Sequence, residues 1–231
     1  MWRDRRRPSR VLPGGEVEGY GYWIGLLATF AFAVTGVLAV AGRGVDLFGS
    51  MVLGIATAVG GGTLRDVILD VPVFWSLDPS YLWVALTASV ASHFLRSRFS
   101  RRGVYNTMLY LDGLGAALFG VLGAAKTWDL GFGLPLAPVA MGVLTAIGGG
   151  LIRDVLAGRP TLVMSRQLYA VPVMLGCILY VLALSWLPEY RLAGAVTCIA
   201  FIFLSRAAAI KWELRMPDLL MTRADDPGPD S

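Results

Sequence analysis

The sequence predicts an all-α membrane protein of seven transmembrane helices, built as two inverted three-helix repeats followed by a seventh helix, with helices 2 and 5 broken at Gly-Gly-Gly. Three observations lead there. The 231-residue chain is 56% hydrophobic and only 16% charged, with a mean hydropathy of +0.64, whereas roughly a quarter of a soluble domain is charged. Its apolar segments are continuous and close to the ~20 residues that a helix needs to cross a bilayer, unlike the alternating ten-residue segments of an outer-membrane barrel. Finally, Gly60-Gly61-Gly62-Thr63-Leu64-Arg65-Asp66 returns as Gly148-Gly149-Gly150-Leu151-Ile152-Arg153-Asp154, 88 residues later, with Pro72 and Pro160 following at matching distance.

Residues 1–21 form a basic N-terminal tail carrying Arg3, Arg5, Arg6, Arg7 and Arg10. No small-residue cleavage site precedes the first span, so the stretch reads as a tail and not as a cleaved signal peptide. Spans are expected at 22–41, 47–70, 79–97, 104–125, 134–157, 168–187 and 191–210. Repeat 1 then covers 22–100 with helices 1–3, repeat 2 covers 104–188 with helices 4–6, and helix 7 lies in 191–212. Upstream of the glycines, Phe32-Ala33-Val34-Thr35-Gly36 resembles Phe119-Gly120-Val121-Leu122-Gly123. Residues 213–231, with Asp225, Asp226, Pro227, Pro229 and Asp230, read as a disordered C-terminal tail.

Three spans per repeat is an odd number, so the second copy enters the membrane from the opposite side. Orientation follows the basic residues. With the N-terminus outside, the inner side holds Arg43, Arg96, Arg98, Arg101, Arg102, Arg153, Arg159, Arg166, Arg206, Lys211, Arg215 and Arg223, or 12 of the 20. The expected location is the plasma (inner) membrane of a prokaryote, C-terminus in the cytoplasm. The excess of arginine, with a pI near 9.3, is read as topology and not as nucleic-acid binding.

Catalysis is not expected. Neither glycine run fits GxGxxG or a P-loop, and no Ser/His/Asp or carboxylate pair is set up for chemistry. Cys177 and Cys198 sit in apolar runs without ligand spacing, and His93 is the only histidine, so no cofactor and no structural metal are expected.

Three glycines in a span weaken a helix by roughly 1 kcal/mol each, and lipid tolerates a break only where freed backbone faces protein or water. Breaks at Gly60, Gly61, Gly62 and at Gly148, Gly149, Gly150 therefore mark a polar pathway. Freed carbonyls near Thr57 to Gly60 and Thr145 to Gly148, with the hydroxyls of Thr57 and Thr145, suit a partly dehydrated monovalent cation. The positive ends of the following half-helices equally suit a carboxylate, so a cation and an amino-acid zwitterion are both admissible. With the breaks at the midplane, Arg65 and Arg153 are expected inside the membrane, which requires pairing or hydration. Positions four residues on are Leu69 and Ala157, and Asp66 and Asp154, being adjacent, are expected to point elsewhere. Asp112 and Lys126 are the candidates for that network. Stripes of small residues every four positions, such as Gly54, Ala58 and Gly62, or Gly142, Ala146 and Gly150, are expected to pack helices within one subunit.

The doubled GGG-x-x-R-D resembles the prokaryotic branch of the trimeric intracellular cation channel (TRIC) family, also catalogued as a glycine-transporter-like membrane family, over about residues 22–210. The resemblance implies a homotrimer in membrane lipid with one potassium-permeable pore per subunit between helices 2 and 5. Gly60 to Gly62 and Gly148 to Gly150 would border that pore, and Arg65, Asp66, Arg153 and Asp154 would stand beside it. Lys126 closes a Gly-x-x-Lys turn from Gly123 that bacterial members share, while the basic lipid-binding signature of animal members is not evident. A secondary transporter of glycine or a similar small zwitterion is the alternative.

Overall fold

The computed structural model describes residues 15–96, 101–164 and 168–214, except the side chains of 15–18 and 101–102. The expectations for 1–14 and 215–231 fall outside these residues. Eight α-helices run in chain order among the described residues: α1 (Gly15–Ala39), α2 (Leu47–Ile68), the one-turn α3 (Phe74–Leu77), α4 (Ser80–Leu95), α5 (Arg101–Asp129), α6 (Leu136–Leu156), α7 (Ala170–Trp186) and α8 (Arg191–Lys211). Short 3-10 turns precede α7 and α8. Five of the helices are long and apolar enough to cross a membrane, and α4 and α7 are shorter apolar helices of 16 and 17 residues. The first helix starts at Gly15, seven residues ahead of the span expected from residue 22, since no proline interrupts the stretch from Gly15 to Tyr22.

α1, α2 and α4 pack on one another, as do α5, α6 and α7. The two groups are joined through α1 on α5 and α2 on α6, and α8 leans on α5 and α7. Small residues permit this closeness: Ala28, Ala31, Ala33, Ala85, Ala116 and Ala146 are all fully buried. Large apolar side chains such as Trp23, Phe48, Trp83 and Trp186 face outward, the pattern of a surface solvated by lipid.

α2 starts at Asp46, whose side chain accepts from the Gly49 amide at 2.8 Å, an N-cap that satisfies one of the open donors. α2 and α6 end alike. The amides of Leu69 and Ala157 reach back to Arg65 O and Arg153 O, and a left-handed residue follows each, Asp70 at φ 54° and Gly158 at φ 57°. Polar side chains within helices are satisfied locally, with Thr29, Thr57, Thr127 and Thr145 each donating to the carbonyl four residues earlier.

Helices 2 and 5 of the sequence reading are α2 and α6, and neither is broken. Both run without interruption through their glycines. The expected breaks and the expected freed carbonyls are corrected here, and the physical reason is a balance of magnitudes. Three glycines weaken a helix by about 3 kcal/mol in all, whereas each backbone group orphaned in hydrocarbon costs several kcal/mol. Keeping the helix is the cheaper state.

Each half also finishes the other. Arg43, after α1, donates through Nη1 to Ala157 O at the end of α6, and Arg159, after α6, donates through Nη1 to Ala39 O at the end of α1 at 3.1 Å. Both guanidiniums thus meet carbonyls that lack helical partners. At the other end of α5, Arg191 holds Asp129 by two bonds of 2.7 and 2.5 Å, with side chains 29% and 40% exposed. Exposed pairs contribute little, so Arg191→Gln is expected to lower stability by less than about 1 kcal/mol, read as a thermal shift of the detergent-solubilised protein.

Candidate functional site

α2 and α6 cross backbone to backbone. A Cβ placed on Gly61 would overlap Thr145 O and lie 3.1 Å from Gly149 N, one on Gly149 would overlap Thr57 O, and one on Gly148 would lie 3.1 Å from Gly61 Cα. Absence of side chains is what lets the axes come this close, and it explains the glycines without any break. Thr57 and Thr145 lie one turn earlier on each helix, both 1% exposed, with their hydroxyl protons committed to Leu53 O at 2.6 Å and Met141 O at 2.5 Å. Behind the crossing, Phe32 and Phe119 stack at 5.8 Å between centroids and 13° between planes. The outer glycines serve the flanks: Gly60 faces Ile152, Gly62 faces the Phe74 ring, and Gly150 faces Tyr169 Oη and Asp112 Oδ1.

A cluster of charges stands past each glycine run. In the first, Arg65 Nε donates to Asp66 Oδ1 at 2.8 Å and Lys126 Nζ donates to the same oxygen at 2.7 Å. Asp66 Oδ2 accepts from the Phe74 amide at 2.9 Å, which folds the chain back after α2. Asp66 is fully buried, while the Lys126 side chain is 33% exposed. The second cluster repeats the first and adds to it. Arg153 Nε donates to Asp154 Oδ1 at 2.9 Å, and Asp154 Oδ2 accepts from the Leu162 amide at 3.0 Å. Arg153 Nη1 reaches Asp112 Oδ1 at 2.6 Å, and Arg206 Nη2 lies 3.6 Å from Asp112 Oδ2. The Arg206 guanidinium covers the Tyr169 ring at 4.2 Å and donates to Leu168 O at 3.1 Å.

These distances correct one expectation. Asp66 and Asp154 do pair with their neighbours Arg65 and Arg153, because the i+4 rule concerns neighbouring Cβ positions and a long arginine arm folds back to reach the adjacent carboxylate. The structure brings Asp112 to Arg153 and Lys126 to Asp66, and the two groups are separated by about half the length of α5. Tyr169 and Arg206 were not among the residues singled out from sequence. Arg206 carried a usable signal as the lone charge in the apolar run from Ala195 to Ile210, and Tyr169 follows Tyr81 at the 88-residue spacing of the repeat.

The clusters differ electrically. The Asp66 group holds two cations and one carboxylate and touches solvent through Lys126. The Asp112 group holds two of each sign and is sealed, with Arg153, Asp112, Asp154 and Arg206 no more than 2% exposed. Buried guanidiniums at this depth persist because carboxylates meet them.

Comparison with known proteins follows this geometry. Residues 22–97 and 109–185 match the family model described as "Glycine transporter". The UPF0126 inner membrane protein YadS of Escherichia coli (strain K12) is 39% identical over 197 residues, covering 85% of this chain and 94% of that protein. Among solved structures, the TRIC trimeric intracellular cation channel orthologue from Rhodobacter sphaeroides is 36% identical with a TM-score of 0.79, over 84% of this chain and 99% of that one. A second TRIC cation channel structure is 27% identical with a TM-score of 0.76, over 88% and 98%.

Proposed function

This chain belongs to the family described as "Glycine transporter" and is a multi-pass membrane protein with the TRIC channel fold, and from that premise we propose that it is a channel for monovalent cations, potassium foremost. The observation that carries the reading is the glycine crossing of α2 and α6 with a buried ion-paired cluster at each end. Gly61 and Gly149 meet backbone to backbone, with Ile152 packed on Gly60 and Leu64 beside Gly148, so separating the two helices costs dispersion contacts. Separation uncovers helix carbonyls and the oxygens of Thr57 and Thr145 to a dehydrated cation, with Gly60, Gly61, Gly62, Gly148, Gly149 and Gly150 bordering the path. Arg65, Asp66 and Lys126 stand at one mouth, and the sealed group of Arg153, Asp154 and Asp112 stands beside the path on the other side of the crossing.

The rest of the reading follows the repeat and the structural relatives. Seven helices cross the membrane, the halves are inverted, the N-terminus is outside and the C-terminus is in the cytoplasm. The channel is a homotrimer with one pore per subunit. The family description favours a second reading, a secondary transporter of glycine or a similar zwitterion.

Potassium flux from proteoliposomes, with radiolabelled glycine uptake run in parallel, separates the two. The channel reading expects flux that follows the membrane potential and changes in Gly61→Leu. Saturable glycine uptake without potassium flux would overturn it. Lys126→Gln removes the exposed positive charge from its mouth, so potassium flux is expected to rise roughly 2–5-fold at low salt. The gain should shrink near 1 M salt, where the Debye length falls to about 3 Å.

A further inference from the structure

Away from the crossing, the ends of α1 and α4 and the start of α5 enclose a cavity of about 570 Å³. Arg43, Arg96 and Arg159 line it, together with Tyr105 and the apolar side chains of Leu38, Val104 and Met108. No carboxylate is among the lining residues, and none of the three arginines takes part in a salt bridge among the described residues. Their bonds are to neutral groups. Arg43 and Arg159 cap helix carbonyls, and among the described residues Arg96 makes long contacts, 3.4 Å to Ser50 Oγ and 3.5 Å to Val45 O.

Helix ends do not neutralise this charge. The C-termini of α1, α4 and α6 and the N-termini of α2 and α5 gather here, and at about half a charge each they nearly cancel. Asp46, the acidic residue nearest in sequence, is turned to the Gly49 amide. Two or more positive charges remain on one wall, facing an apolar wall where α1 and α4 end. Cations are repelled from such a pocket, which separates it from any cation path.

We infer that this pocket binds a phosphate group, with its oxygens on Arg43, Arg96 and Arg159, and that the wall of Leu38, Val104 and Met108 accommodates an apolar chain attached to it. Guanidinium forks match phosphate oxygens. The phosphate comes either from an anionic lipid headgroup or from a free phosphate ion.

The test uses the full-length protein in detergent. Probes are dioleoyl-phosphatidylglycerol against dioleoyl-phosphatidylcholine, and sodium phosphate against sodium chloride at equal ionic strength, read by thermal shift and native mass spectrometry. Arg96→Glu is the main variant, since the Arg96 side chain, unlike those of Arg43 and Arg159, donates to no helix-end carbonyl, with Arg96→Gln as the milder form. Arg191→Gln, at the far end of α8, is the control. Phosphatidylglycerol is expected to bind at least fivefold more weakly to Arg96→Glu than to the unaltered protein or the control, with phosphatidylcholine indifferent. The same loss seen with inorganic phosphate, and no added effect of the lipid, supports the phosphate site, assigns it a soluble anion and overturns the attached apolar chain. Equal binding of both probes by both Arg96 variants and the unaltered protein overturns the inference, as does an equal loss in Arg191→Gln.

Discussion

Asp112→Ala is expected to lower the stability of the protein by about 3–5 kcal/mol, the range for breaking a buried ion pair from one side. The substitution strands two guanidiniums at once. Arg153 keeps Asp154 but loses its 2.6 Å partner, and Arg206 loses the only carboxylate within 4 Å of it among the described residues. Both arginines are fully or almost fully buried, so water cannot replace the lost charge without opening the bundle. Asp112→Asn keeps the shape and one acceptor for Arg153 Nη1, and should fall well short of that loss. For a chain of this size 1 kcal/mol corresponds to roughly 2–4 °C, so thermal unfolding in detergent should drop by roughly 6–20 °C for alanine. A drop below 2 °C would mean that the cluster is hydrated and its arginines accessible.

Gly61→Ala sets two effects of opposite sign against each other. Alanine favours the helix by about 1 kcal/mol over glycine. Its Cβ, however, would overlap Thr145 O and press on Gly149 N, and these are backbone atoms of a helix that cannot turn aside. Overpacking of this kind costs about 1–3 kcal/mol, so the net result is a loss. Gly19→Ala is the matched control, because a Cβ there meets nothing within 4 Å, and it should gain up to about 1 kcal/mol. Gly149→Ala should lose as Gly61→Ala does. The double variant should lose less than the sum, since one separation of α2 from α6 relieves both clashes. Melting curves of the four proteins check the set, and a stabilised Gly61→Ala would sink the close crossing.

Much of this was legible in the chain. The low charge content and the continuous apolar runs carry the membrane class, and the doubled Gly-Gly-Gly-x-x-Arg-Asp points to the two helices, α2 and α6, that meet at their glycines. Asp112 and Lys126 could be named because intramembrane arginines and carboxylates need opposite charges and few were on offer. What was not legible has physical reasons. Glycine signals both a weak helix and a close approach, and sequence alone does not show that Thr145 O lies against Gly61. Spacing rules for helix surfaces do not reach an arginine that bends back to the next residue. Arg206 was counted with the charges that set orientation because its depth depends on how α8 leans on α5.

The reciprocal caps have a consequence in time. Ala39 O waits for a guanidinium 120 residues further along the chain, and ribosomes add about 5–20 residues per second. For roughly 6–24 s during its synthesis the first helix therefore exists without this partner for its terminal carbonyl, and Arg43 stands ready for a helix end that does not yet exist. Neither half of this protein is a finished object alone: Lys126 can reach Asp66 first, and the exchange of helix caps closes only when Arg159 leaves the ribosome.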